Sequence, residues 1–200
     1  MNIIETLSRK EKERVKTVHL KIDEILFYEG ERCNCIGILG EGSIKISSFA
    51  YDGKEIIYNT LKKDGIFGNN LLFSNEPTYK GDVIAKEDTT IYLIYKEDLL
   101  FLLQTNRSFL TNYLQIQSDF GKYLNGRIRL LSYDSLKDRL LFFLSQNHGI
   151  YHYSSISDLA STLNVSREAL SRCIHQLEKE GVLKIKDKAI KTSIYPPAES

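Results

Sequence analysis

The stretch Leu163–Leu183, LNVSREALSRCIHQLEKEGVL, decides the reading of this 200-residue chain. Ser166 is a helix-capping residue type standing directly before a periodic run. At about 100° per residue from Arg167, the residues Leu170, Cys173, Ile174 and Leu177 fall on one side of a helix. Arg167, Glu168, Ser171, Arg172, His175 and Lys179 fall within roughly 140° on the other, and the two arcs do not overlap. Upstream, Ser155 with Asp158 three residues on predicts a capping box, opening a first helix with Leu159, Ala160 and Leu163 on its inner side. Asn164-Val165 is then the turn. A helix pair joined by so short a turn is the supersecondary unit of DNA major-groove readers.

The polar arc has a plainer explanation to beat. Glu168 and Arg172 stand four apart in the favourable order, which as a surface pair contributes only about 0.2–0.5 kcal/mol. Arg167 in the first turn opposes the helix dipole by about 0.3–1 kcal/mol, so stabilisation does not account for it. Base recognition does: arginine donates bidentately to guanine and glutamate accepts from the cytosine amino group, each contact discriminating by about 1–3 kcal/mol. Downstream, GVLKIKDKAIKTSI predicts two short strands around Lys186-Asp187-Lys188, a wing whose lysines suit phosphates.

Charge supports this placement locally. The whole chain carries a formal net charge of +1, which argues neither for nor against nucleic acid. Residues 161–195, however, hold seven Lys/Arg against four acids. An apolar content of 42% with 26% charged residues is ordinary for a globular chain of one large or two small domains. No window approaches a membrane span, and the N-terminus MNIIETLSRKEKERV turns charged too early for a secretory signal, so a cytoplasmic location is expected. Three cysteines (Cys33, Cys35, Cys173) make neither a disulfide framework nor a zinc ribbon.

From about Ile22 to Tyr95, short apolar or alternating runs are separated by the turns Glu41-Gly42, Asp52-Gly53 and Asp64-Gly65, the rhythm of an all-β sandwich or barrel. After a short helix, KEDLLFLLQTN, the span Arg107–Leu131 contains no proline and has two apolar edges. One runs through Phe109, Tyr113, Ile116, Phe120, Tyr123 and Leu130, the other through Leu110, Leu114, Leu124, Ile128 and Leu131. One edge can cover the β half while the other meets a second copy, with Tyr113, Phe120, Leu124 and Leu131 as the expected dimer interface. Gly121 and Gly126 weaken this helix and suggest close approach or a hinge.

This order of elements resembles the Crp/Fnr family of bacterial transcription regulators over nearly the whole chain. VSREALSRCIHQLEKEGVL is similar to the family's recognition helix, in which the residues matching Arg167, Glu168 and Arg172 contact bases, and Ser171 matches a serine of the Fnr branch. YEGERCNCIGILGEGSIKI resembles its first β-roll hairpin, with Gly30, Gly40 and Gly42 at turns. The resemblance implies an α+β fold in three parts: a double-stranded, jelly-roll-like β-roll sensor (1–105), a dimerisation helix (106–132) and a winged helix-turn-helix (133–200). It implies a homodimeric, sequence-specific regulator bound to double-stranded DNA at an inverted repeat and working with RNA polymerase. The base-reading set is then Arg167, Glu168, Ser171 and Arg172, and the backbone set Ser155, Ser166, His175, Lys186 and Lys188.

IFGNNLLFSNEP resembles the family's phosphate-binding cassette and departs from it at the residues that matter. Asn69 stands where cyclic-nucleotide binders have Glu, and Tyr79-Lys80 where they have Arg followed by Ser or Thr. Lys80 could pair a phosphate only as a point charge. Leu124-Asn125 replace the Thr-Ser pair that reaches the base in the cyclic AMP receptor. The expected effector pocket is therefore Phe67, Gly68, Asn69, Asn70, Leu71, Tyr79, Lys80, Leu124 and Asn125, for an unknown small molecule other than cyclic AMP. An iron–sulfur cluster of the Fnr type needs four thiolates, and haem would rest on His19 alone, so no cofactor and no metal are predicted. Cys33-Asn34-Cys35 places two thiols on one face at a strand entrance, with a redox or metal role open and two small β-roll residues the commoner explanation. A cupin-like enzyme would need histidines converging in the β half, where only His19 lies, so no enzymatic activity is expected. A dimeric scaffold without DNA would not need three charged residues on one exposed arc.

Overall fold

Alternating runs closed by Gly-containing turns become antiparallel strands. The computed structural model describes residues 3–192 and 194, so the outermost residues of the expected 1–105 and 133–200 parts lie outside the described residues. The chain divides into two compact units, Met1–Asp119 and Phe120–Ser200. The division falls inside a single helix of 25 residues, α3 (Arg107–Leu131), and not at either end of it.

In the first unit, after a one-turn helix α1 (Arg9–Lys12), two four-stranded sheets face each other. One has the order β1 (Lys16–Leu20), β8 (Thr89–Tyr95), β3 (Cys35–Glu41), β6 (Ile66–Phe67). The other runs β2 (Ile25–Phe27), β7 (Asp82–Ala85), β4 (Ser43–Phe49), β5 (Glu55–Lys62). Every pairing is antiparallel, with the strands on β3 and β4 central. Ile36, Ile38, Ile44, Val83, Ile91 and Ile94 fill the interior, and α2 (Lys96–Thr105) seals it with Leu99 and Leu102. Gly42 joins β3 to β4 at φ +79°, where a Cβ would meet the Asp88 carbonyl at 2.5 Å, so only glycine fits. Gly40, expected at a turn, lies inside β3 instead: the Tyr92 ring packs where its Cβ would be. Ile3, Ile4 and Leu7, from the charged N-terminal segment, also enter this core.

The first edge of α3 packs into the same core through Phe109 and Tyr113. Tyr113, expected at a dimer interface, is only 5% exposed and belongs to its own unit, its hydroxyl accepting from Gln117 Nε2 at 2.8 Å. Besides Tyr123 at 49%, the large apolar residues of α3 that stay exposed are Leu114, Leu124, Ile128 and Leu131, between 42% and 65% exposed. With Gly121 they recur at the 3-4 spacing of a coiled-coil seam, one residue out of register with Tyr113 and Phe120. A Cβ on Gly121 or Gly126 would meet nothing within 4 Å, so neither glycine marks a close approach within the chain.

In the second unit, α4 (Leu136–Gln146), β9 (Ile150–His152), α5 (Ile156–Thr162), α6 (Arg167–Lys179), β10 (Leu183–Lys186) and β11 (Ala189–Thr192) surround Leu140, Leu144, Leu159, Leu163, Leu170, Leu177 and Ile190. β9 adds a third strand to the wing, ordered β10-β11-β9, beyond the two expected. No described helix is long and apolar enough to cross a membrane.

Two substitutions test this packing. Gly126 lies off the uncovered seam with free space around its Cα, so Gly126→Ala should stabilise the protein by about 1 kcal/mol through helix propensity alone, read as a higher midpoint in urea. Leu170→Ala should cost about 2–5 kcal/mol, because Leu170 is fully buried among α4 and α5 side chains.

Candidate nucleic-acid interface

Local chemistry sets the helix pair. Ser155 caps α5 and accepts from the Asp158 amide at 3.0 Å, while the Asp158 carboxylate accepts from the Ser154 hydroxyl at 2.7 Å. Asn164 takes φ +54°, a left-handed conformation that asparagine tolerates, and its neighbour Val165 returns its amide to the Ala160 carbonyl at 3.0 Å. Ser166 then caps α6, accepting from the Ala169 amide at 3.1 Å. The far end closes as a Schellman motif: Gly181 at φ +73° donates to Glu178 O, and Val182 to Leu177 O at 2.9 Å.

Two arginines hold the first helix in place, and neither was singled out in the sequence. Arg127 of α3 donates to the Thr162 carbonyl, and Arg139 of α4 donates to Leu163 O at 3.0 Å and Tyr133 O at 2.9 Å. Both guanidinium groups meet the C-terminal carbonyls of α5, the negative end of its dipole. A Lys137–Glu180 ion pair at 3.2 Å ties α4 to the end of α6.

With α5 and α4 beneath it, α6 buries Leu170, Ile174 and Leu177. Cys173 is half-buried on the same side, and burial pushes its thiol pKa up. Arg167, Glu168, Ser171, Arg172, His175 and Lys179 are all exposed. Among the described residues, no ion pair or side-chain hydrogen bond engages Arg167, Glu168 or Arg172. The Glu168–Arg172 pair that would explain the arc as helix stabilisation is therefore not formed. At the wing, Asp187 and Lys188 take φ +50° and +59°, a two-residue hairpin turn, and Lys186 and Lys188 are exposed beside it.

The expected effector residues sit in unlike surroundings. Phe67 and Tyr79 are core residues: the Tyr79 ring stacks on Phe27 at 4.7 Å and Phe27 meets Phe67 edge-on at 6.4 Å. Buried Asn69 donates to Gln117 Oε1 at 2.8 Å, and Gln117 Nε2 donates back to Asn69 O at 2.9 Å. Gly68 is buried at φ +76° and Leu71 half-buried, while Asn70 and Lys80 are exposed, with Lys80 Nζ on Thr78 Oγ1 at 3.1 Å. Leu124 and Asn125 belong to the other compact unit, where both are exposed.

Known proteins are similar to this chain in sequence and in fold. The profile of the cyclic nucleotide-binding domain matches residues 17–106. The anaerobic regulatory protein of Bacillus subtilis is 27% identical, the alignment covering 92% of this chain and 79% of that protein. The cyclic AMP receptor protein of Thermus thermophilus is 25% identical over 80% of this chain and 76% of its own length. Among solved structures, a CooA mutant from Carboxydothermus hydrogenoformans shares the fold with a TM-score of 0.73 at 20% identity, covering 96% of this chain and 91% of that one. The domain match, these two relatives and the shared fold agree with the helix pair and wing described above: the chain carries a cyclic nucleotide-binding domain match over residues 17–106 and is similar over most of its length to transcription regulators of the Crp/Fnr type.

Proposed function

We propose that this regulator acts as a homodimer that reads an inverted-repeat operator with Arg167, Glu168, Ser171 and Arg172. The observation that carries the proposal is the exposed face of α6, where these charged side chains have no partner among the described residues and so keep their full hydrogen-bonding capacity for base edges. Ser155, Ser166, His175, Lys186 and Lys188 contact the phosphodiester backbone and set the register. The dimer forms along the uncovered seam of α3, so residues 106–132 serve as the connection between a sensor part (1–105) and a DNA-binding part (133–200). An effector other than cyclic AMP acts on the sensor part. In support, the Asn69 amide is committed to Gln117, and an aromatic ring occupies position 79 where a guanidinium would pair the cyclic phosphate. RNA polymerase is the downstream partner, the site of action is the cytoplasm, and the chain performs no catalysis.

Four outcomes are expected. Arg172→Ala or Glu168→Ala costs about 1–3 kcal/mol per half-site on the cognate operator and far less on random DNA. Lys186→Ala weakens both alike and flattens the dependence of affinity on salt. Equal loss on both DNAs from Arg172→Ala and Lys186→Ala, measured by anisotropy across a salt series, would rule out base reading. Ile128→Asp places a charge on the seam and yields monomers by light scattering, whereas Tyr113→Phe leaves the dimer intact. Cyclic AMP titrated by calorimetry produces no saturable heat at micromolar concentration.

A further inference from the structure

Where the chain enters β3, two thiols and a phenol meet in the interior of the first unit. Cys33 and Cys35 are 2% and 0% exposed, and Tyr79 is 3% exposed. Backbone hydrogen bonds clamp the two segments that carry them: Cys33 N donates to Pro77 O at 2.7 Å, Tyr79 N to Glu31 O at 2.9 Å, and Gly30 N to Tyr79 O at 2.9 Å. The stacked Phe27 ring fixes the plane of Tyr79. Its hydroxyl is set against both thiols, yet it makes no hydrogen bond of ordinary geometry. A buried hydroxyl left so is destabilising, and nothing in the packing of the core requires a tyrosine rather than a phenylalanine there. The Cys33 thiol donates weakly to Cys35 O at 3.4 Å and Gly68 O at 3.7 Å. Gly68, at φ +76°, brings its backbone so close that a Cβ would stand 3.3 Å from the Cys33 sulfur.

We propose that Cys33, Cys35 and Tyr79 form a binding site for one soft monovalent metal cation, of the Cu(I) or Ag(I) class, held between the two cysteine sulfurs. Soft thiolate ligands select such ions. Zinc would need four ligands, and among the described residues no group of three or more His, Cys, Asp or Glu could hold a metal. Binding exchanges protons for the metal, M⁺ + 2 RSH → [M(SR)₂]⁻ + 2 H⁺, with no change in oxidation state. Each thiolate formed is a stronger acceptor than a thiol, so occupancy strengthens what the Tyr79 O–H can donate to, and that donation offsets part of the buried negative charge. Lys16 also lies near enough to Cys35 to favour its thiolate. Burial raises the pKa of both thiols, Cys35 to about 11, which disfavours oxidation by peroxides because that route consumes thiolate. A cation that displaces the protons is not so restricted. A surface cleft lined by Arg32, Cys33, Asn34 and Lys96 provides the entry. Tyr113 of α3 lies close enough to Cys33 to feel its charge, so filling the site alters the surroundings of α3.

The site is tested without DNA, so its failure is distinct from failure of the regulator reading. The full chain and its Cys173→Ser variant are titrated anaerobically with Cu(I), against a chromophoric Cu(I) chelator, and separately with Ag(I). Both proteins should take up one equivalent per chain with release of two protons. X-ray absorption of the Cu(I)-loaded protein should show two sulfur neighbours and no nitrogen or oxygen neighbour. Cys33→Ser and Cys35→Ser should each abolish competition with the chelator, and Tyr79→Phe should weaken it roughly tenfold or more at unchanged stoichiometry. Uptake that survives in a folded Cys33→Ser/Cys35→Ser double variant overturns the proposal. So does uptake lost in Cys173→Ser, or an absorption spectrum with nitrogen or oxygen neighbours in the unsubstituted protein, a result that does not depend on any variant folding.

Discussion

Burial of Leu170, Ile174 and Leu177 against α4 and α5 is the constraint from which the exposed face of α6 follows. Each such side chain contributes about 1.5–3 kcal/mol on leaving water, whereas any ion pair on the outer face contributes a few tenths. The apolar side therefore fixes the rotation of α6, and Arg167, Glu168 and Arg172 have no alternative but to face solvent. The serine cap, the left-handed Asn164 and the two guanidiniums on the α5 carbonyls then set where that face begins. The packed side chains and the unpartnered charged ones thus lie on opposite sides of one helix, which allows substitutions on one side to leave the other intact.

In the first unit Asn69 and Tyr79 have structural roles: one amide links the β-roll to Gln117 of α3, and one ring stacks on Phe27. Gln117 also donates to the Tyr113 hydroxyl, so the loop after β6 and α3 share one polar network. Any ligand that alters this network changes the footing of α3.

Much of this was legible in the residues because it depends on local rules. The periodicity of Leu170–Leu177, the caps at Ser155 and Ser166, and the glycine turns after Glu41, Asp52 and Asp64 each follow from spacing and φ preference. The parts that were not legible depend on tertiary partners. Tyr113 and Leu114 are both apolar and adjacent, and only the β-roll core decides which of them is covered, while Leu124 and Leu131 stay exposed as expected. β9 is a three-residue strand with no alternation of its own, formed because β11 offers an edge. Arg127 and Arg139 carry no motif, since their partners are backbone carbonyls whose position depends on the packed helices. The unpaired Tyr79 hydroxyl is invisible without a burial measure.

The central claim is that the outer face of α6 reads base sequence. It is tested most directly by selecting binding sites for the unsubstituted protein from a pool of random-sequence duplexes at physiological salt and sequencing the survivors. The account predicts enrichment of an inverted repeat whose half-sites are centred about one helical turn, roughly 34 Å, apart and resemble TGTGA or TTGAT. Recovery of a pool with no enriched motif, while the protein still retains DNA at low salt, would contradict it.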